Sequence, residues 1–369
     1  MRAFLAGVAD AAAGGPSAAP SLPSVDRAAL HAWLARTRLA AAACPLARGL
    51  DDDLARRLRP DAIAAAAASL ARSSTLARIE ACLASAAIPV VLLKGAAVAH
   101  AAYADPALRP MTDLDLWIPD AEMPRAGALL EGLGYRRLDG LADRPAELQR
   151  RSGGEVVFAP EGAGGGLVEL HYSAFQGWWV RRAAEADAEA VWRRAVPIGP
   201  GRHARRLAVE DAILQTSFHV VVNQFGQAPL RGLLDVAVMA RRFAVDWEEV
   251  ARRARAWRLG TATGLVLRTA DALFGLPGAA PAMRGLDPSR ARRAVLHRFV
   301  SPESVLAERD LTRSWRKHAL LLALVDRPRD AARLVGRTLW PEAWWRAARY
   351  GRPVGPAEHL WLLARRGTV

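Results

Sequence analysis

The sequence predicts an α+β protein: a small mixed-sheet core with helices before it and a large helical region after it. Three observations carry this expectation. Strand-like runs, either β-branched and apolar or alternating with charge, cluster between residues 88 and 175. On both sides of that stretch apolar residues recur at the three-to-four spacing of helices. The 369 residues, 52% apolar and 24% charged, can bury a large core, which excludes a disordered or collagen-like chain.

Residues 1–24 read as a flexible N-terminal segment, a short frayed stretch followed by the linker GGPSAAPSLPS (14–24). The opening MRAFLAGVADAAAGG mimics a weak leader peptide, but Asp10 breaks its apolar run. Residues 25–87 form an N-terminal helical region interrupted at Pro45 and Pro60, its last helix spanning 61–86. The core unit, 88–180, begins with the buried strand IPVVLLKG (88–95) and a helix over 96–104. The proline-closed loop DPALRP (105–110) leads to a strand over MTDLDLWIP (111–119). A helix runs to about Leu133, and shorter strands follow around Tyr135–Leu138, Glu155–Ala159 and Gly166–Phe175. From 181 to 369 the pattern is helical, with segments at 183–195, 208–223, 229–243, 246–259 and 261–275. After a break at 276–289, shorter helices reach about Arg366; tryptophans here, such as Trp340, read as core fillers.

The charge balance is 51 basic against 37 acidic residues, a net +14. Only Lys94 and Lys317 are lysines, and Asn223 is the only asparagine, as codon bias from a GC-rich genome would produce. Against so many arginines, a retained lysine marks a place where a compact ammonium head matters. The positive surface suits a polyanion such as nucleotide, RNA or acidic peptide. No dense basic run appears, so arginines scattered for solubility remain the plainer reading. Cys44 and Cys82 are too few for a disulfide framework and lack the company of a zinc site, which points to the reducing cytoplasm. No run approaches the ~18 apolar residues of a membrane helix, so no membrane partner is expected.

Three segments carry chemistry. In DLDLW (113–117), strand alternation places Asp113 and Asp115 on one face, where two repelling carboxylates are best explained by a cation between them. Oxygen ligands favour Mg²⁺ or Mn²⁺, although an edge strand with a solvated polar face would read the same. In VVLLKG (90–95) a strand passes through Lys94 and Gly95 into a helix. That arrangement suits a phosphate at the helix start, with a snorkelling lysine as the alternative. In GLVELHYSAF (166–175), Glu169 sits among apolar neighbours, an expensive place for a lone carboxylate, and His171 shares its face. His171 reads more readily as a hydrogen-bonded structural histidine than as a ligand. The pairs His219/Asn223 and Arg231/Asp235, each four residues apart on apolar helices, read as interhelical hydrogen bonds.

Together, LLKGAAVAHAAYADPALRPMTDLDLWIP (92–119) and VELHYS (168–173) resemble the nucleotidyltransferase superfamily of DNA polymerase β. The likeness is greatest to its bacterial branch of uncharacterised nucleotidyltransferases, with LKG, a tyrosine, R-P-x-x-D-x-D, then an acid-x-His strand. Residues 217–242 also resemble that branch's helical region. The resemblance implies two-metal transfer of a nucleoside monophosphate from a nucleoside triphosphate, ATP being the first expectation, to an acceptor hydroxyl on a protein, peptide or small molecule. Asp113, Asp115 and Glu169 would hold the Mg²⁺ ions, Glu169 also helping to deprotonate the acceptor. Lys94 and Gly95 would hold the β- and γ-phosphates, and Arg109 would form either a phosphate fork or a salt bridge within its loop. Ala96 departs from the family, many members having a small polar residue or glycine there. An RNA- or tRNA-directed transferase, or a catalytically idle binding or antitoxin module, are the alternatives.

Overall fold

The computed structural model describes residues 1–16, 22–138, 148, 154–162, 165–225, 229–309 and 314–366. At its centre lies a seven-stranded mixed sheet in the order β3-β4-β5-β2-β1-β7-β6. The strands are β1 (Val91–Leu92), β2 (Asp113–Trp117), β3 (Tyr135–Arg137), β4 (Glu155–Pro160), β5 (Leu167–His171), β6 (Val196–Pro197) and β7 (Arg205–Arg206). The first five fall where the sequence places strands. The β6–β7 hairpin was not expected: two-residue strands carry no periodicity, and β7 forms because the Arg205 N–H donates to the Val90 carbonyl at 3.0 Å. The sheet therefore crosses the boundary expected after residue 180.

Four helices precede the sheet: α1 (Arg2–Ala12), α2 (Arg27–Arg36), α3 (Ala40–Arg48) and α4 (Asp52–Ser85). The first residues are not frayed. Phe4, Leu5 and Val8 are fully buried in α1, and Asp10, the residue that interrupts the apolar run, pairs with Arg241 at 2.5 Å. Of the expected linker, residues 17–21 lie outside the described residues. Nor do the prolines break helices: Pro45 lies inside α3 and Pro60 inside the 34-residue α4. An Asp51 cap on the Leu54 N–H (2.8 Å) starts α4, and buried Leu54 and Leu58 before Pro60, then Leu76, Ile79 and Leu83 after it, hold one axis against the cost of the missing donor.

Helices α5 (Lys94–Ala101) and α6 (Met123–Gly132) belong to the core unit. Beyond β5 come α7 (Trp178–Ala183), α8 (Ala188–Arg194), α9 (Val209–His219), α10 (Pro229–Arg242), α11 (Trp247–Ala256) and α12 (Gly260–Phe274), then shorter helices to Arg366. The sheet's two faces divide the core. Leu114, Leu116, Val168 and Leu170 pack with Leu76 and Ile79 of α4 and Met123 and Leu130 of α6. Trp117 joins the larger cluster, which unites α1–α3 with α9–α12 and the C-terminal helices. Trp179 fills that cluster, whereas Trp340 is 54% exposed and fills nothing.

Candidate active site

The register of β2 and β5 decides the site. These strands run parallel, with Asp113 opposite Leu167, Asp115 opposite Glu169 and Trp117 opposite His171. Alternation then puts both aspartates, Glu169 and His171 on the face away from α4 and α6. This is the face-sharing that the sequence pattern implies.

Lys94 reaches the same place from α5. The Leu93 N–H still donates to the Asp115 carbonyl (3.0 Å), extending the pairing of β1 with β2. Lys94 then turns into the helix at φ +46°, a left-handed conformation that costs a non-glycine residue about 1–2 kcal/mol. Its ammonium donates to Asp115 Oδ1 at 2.5 Å and lies 3.8 Å from Glu169 Oε2. His171, wholly buried, places Nε2 2.8 Å from the same Asp115 oxygen and 3.4 Å from Glu169 Oε2. On its far side Nδ1 meets the amide of Gln176, which also donates to Glu155 Oε2 at 3.0 Å.

The electrostatics follow from this cluster. Burial pushes Asp115 towards its neutral form, but the Lys94 charge and the His171 hydrogen bond outweigh it and hold the carboxyl well below the usual range. Lys94 moves up: burial opposes its charge, and Asp115 and Glu169 overcome that. For Glu169, burial and the neighbouring Asp115 charge win over the His171 hydrogen bond, so its pKa rises. His171 is also raised, its bonds to the two carboxylates outweighing burial and the Lys94 charge.

Asp115, Glu169 and His171 each offer one ligand atom, all within 4.8 Å of one another. The trio differs from the expected one. Asp113 lies one pleat along β2, half-buried, accepting from the Thr112 hydroxyl at 3.3 Å. His171 replaces it in the cluster, a role legible only as its two-residue offset from Glu169.

Arg109 is committed elsewhere. Its Nε and Nη2 donate to the two oxygens of Asp235 in α10 at 3.1 and 2.7 Å, and Tyr103 donates to the same carboxylate at 2.8 Å. Arg109 and Asp235 are 6% and 3% exposed. The guanidinium is thus paired outside its own loop: it ties the R-P loop to a helix 126 residues away. Gly95 serves the same tie. A Cβ at 95 would lie 2.4 Å from Arg109 Nη1, so the missing side chain makes room for the arginine, while the strained turn falls on Lys94.

The helices over the site add groups that the sequence left as structural. After α9 the chain widens into a π turn over Val220–Gln224, a geometry frequent at functional sites. His219 Nδ1 and the Asn223 amide are 3.1 Å apart across it. Burial, then the Lys94 charge, depress the His219 pKa to about 3. Arg231, at the start of α10, donates from Nη1 to the Pro110 carbonyl at 3.3 Å. Arg231 and Asp235 both bond to other elements, as their reading as inter-element hydrogen bonds expects: Arg231 to Pro110, and Asp235 to Arg109 and Tyr103.

A family model described as uncharacterised nucleotidyltransferase matches residues 23–275, more than two-thirds of the chain. The chain belongs to this family. The match spans the sheet, the acidic cluster and the helices through α12, so the reaction class is nucleotidyl transfer and the donor a nucleoside triphosphate. Among solved structures, the chain is similar to the antibiotic-resistance factor ANT(2″)-Ia, at 18% identity and TM-score 0.34, over 51% of this chain and 91% of that one. No curated protein matches at a significant level. Among the described residues, no helix is long and apolar enough to cross a membrane.

Proposed function

We propose that this nucleotidyltransferase moves a nucleoside monophosphate, with ATP as first candidate donor, onto a hydroxyl of a protein, peptide or small molecule, in the cytoplasm and with Mg²⁺ or Mn²⁺. The observation that carries this reading is the convergence of Asp115, Glu169 and Lys94 from two parallel strands and a helix start onto one face of the sheet. Two carboxylates within 4.8 Å of each other form a donor set suited to a hard divalent ion. Asp115 and Glu169, with Asp113 beside them on β2, would hold it, and when bound it supplies charge stabilisation to the triphosphate.

The remaining work falls to the chain's own side chains. Glu169, its pKa raised by burial, is the carboxylate suited to accept the proton of the acceptor hydroxyl. Lys94 holds a fixed positive charge beside it, next to where the transferred phosphoryl group gains negative charge. His171, anchored through Gln176 and Glu155, fixes the orientation of Asp115. Arg109 acts as a positioning residue through Asp235.

The test is Glu169→Gln beside Asp115→Asn, with release of pyrophosphate from each nucleoside triphosphate as the readout. E169Q should keep nucleotide affinity within about threefold and lose kcat by about 10²–10⁴-fold, as removal of a general base does. D115N should lose metal-dependent nucleotide binding. Equal turnover in wild type and E169Q would overturn the assignment of the base.

A further inference from the structure

We propose that Arg231 and the Nε2 edge of His219 form the subsite for the outer phosphates of the nucleoside triphosphate, on the helical wall facing β2. This rests on the nucleotidyltransferase reading above and replaces the phosphate roles expected for Gly95 and Arg109.

The cations around the cleft differ in how they are paired. Lys94 is paired with Asp115 at 2.5 Å, and Arg109 donates from Nε and Nη2 to the two oxygens of Asp235. Arg231 has no such partner. Among the described residues no carboxylate lies within ion-pair distance of it, and its one hydrogen bond goes to the Pro110 carbonyl. Its Nε is buried with no acceptor among the described residues. A guanidinium desolvated without an anion is an expensive arrangement, and the nearest strong charges make it worse: burial first, then Arg109, pull its pKa down to about 10. Asp235 and Asp113 oppose that shift without cancelling it. An anion that arrives with the substrate would complete the pairing.

Position selects which anion. Pro110 sits three residues before Asp113, so the carbonyl that anchors Arg231 fixes the guanidinium at the start of β2. His219 closes α9, the helix that packs against both α10 and α5. With Nδ1 accepting from Asn223, the neutral ring carries its proton on Nε2, which has no partner among the described residues. A guanidinium and an imidazole N–H beside the acidic strand suit a tetrahedral phosphate bearing two negative charges. A nucleoside triphosphate held at Asp115 and Glu169 carries such phosphates beyond its reacting one. A phosphodiester backbone, with one charge per phosphate, fits the pair less well.

The experiment is titration calorimetry on the full chain carrying Arg231→Gln, Arg231→Lys or no change, with inorganic tripolyphosphate alone and then Mg²⁺ with ATP, ADP or AMP. R231Q should weaken tripolyphosphate and ATP at least tenfold, about 1.4 kcal/mol, and leave AMP within twofold; R231K should fall between. Because the removed charge has no carboxylate partner among the described residues, the thermal unfolding midpoint of R231Q should equal or exceed that of wild type. Unchanged tripolyphosphate affinity, a wild type that does not bind tripolyphosphate, or an equal loss for AMP and ATP would each overturn the proposal. Tripolyphosphate binding needs neither acceptor nor turnover. A failure here with E169Q still impaired in transfer leaves the function intact, and the converse result leaves an anion site on a chain that does not transfer.

Discussion

Alanine at position 95 is a sharp test of how the cleft is built. The added Cβ would lie 2.4 Å from Arg109 Nη1, whereas ordinary carbon contacts start near 3.5 Å. The guanidinium would have to retreat by about 1 Å. It is not free to do so, because Nε and Nη2 are held on Asp235 at 3.1 and 2.7 Å, and such a shift takes both bonds past the ~3.2 Å limit of good geometry. The cost lies between overpacking, about 1–3 kcal/mol, and one-sided loss of a buried ion pair, about 3–5 kcal/mol. Alanine's helix preference returns up to about 1 kcal/mol, leaving G95A destabilised by about 1–3 kcal/mol. Urea unfolding of G95A should show this as a lower midpoint at unchanged slope. In an Arg109→Met/Asp235→Leu background the obstacle is gone, and the same substitution should be neutral or mildly stabilising. An identical cost in both backgrounds would refute the reasoning. So would wild-type stability of G95A with weakened nucleotide binding, which would return Gly95 to the ligand.

Other outcomes follow from the same structure. Asp235→Asn leaves the buried Arg109 without its counter-charge, and the unfolding free energy should drop by about 3–5 kcal/mol; an unchanged denaturation midpoint would dissolve the proposed tie between the R-P loop and α10. Phe4→Ala should cost about 3–5 kcal/mol, since that ring is fully buried; a change under about 1 kcal/mol would mean that α1 does not dock. His219 titrates near 3 when folded and near 6.5 when unfolded, so the unfolded chain binds the extra proton first as pH falls. Stability from this group is complete above about pH 6.5 and declines on acidification, by about 2 kcal/mol at pH 5, and His219→Gln should remove that share of the pH dependence. An NMR titration of the His219 ring with a midpoint near 6.5 would contradict it.

Much of the site was legible in the sequence because strand alternation is a local rule. DLDLW and VELH each assign their acids to one face without knowledge of any neighbour, and the β-branched run before Lys94 announces a strand leading into a helix. Lys94 stood out because arginine replaces lysine almost everywhere else in the chain. The prolines misled for the converse reason: local propensity marks Pro60 as a break, and packing along both halves of α4 overrides it.

By itself, then, the sequence determined the order of elements and the polar face of the sheet on which Asp113, Asp115 and Glu169 lie. Tertiary structure decided the partners. Register between β2 and β5 set Asp115, rather than Asp113, against Glu169 and drew His171 into their cluster. Packing of α10 against the R-P loop gave Asp235 to Arg109, across 126 residues. Periodicity encodes which way a side chain points within its own element, but an ion pair depends on which distant element arrives opposite. Among so many arginines of identical chemistry, only the folded chain distinguishes Arg109, paired with Asp235, from Arg231, which has no carboxylate within ion-pair distance among the described residues.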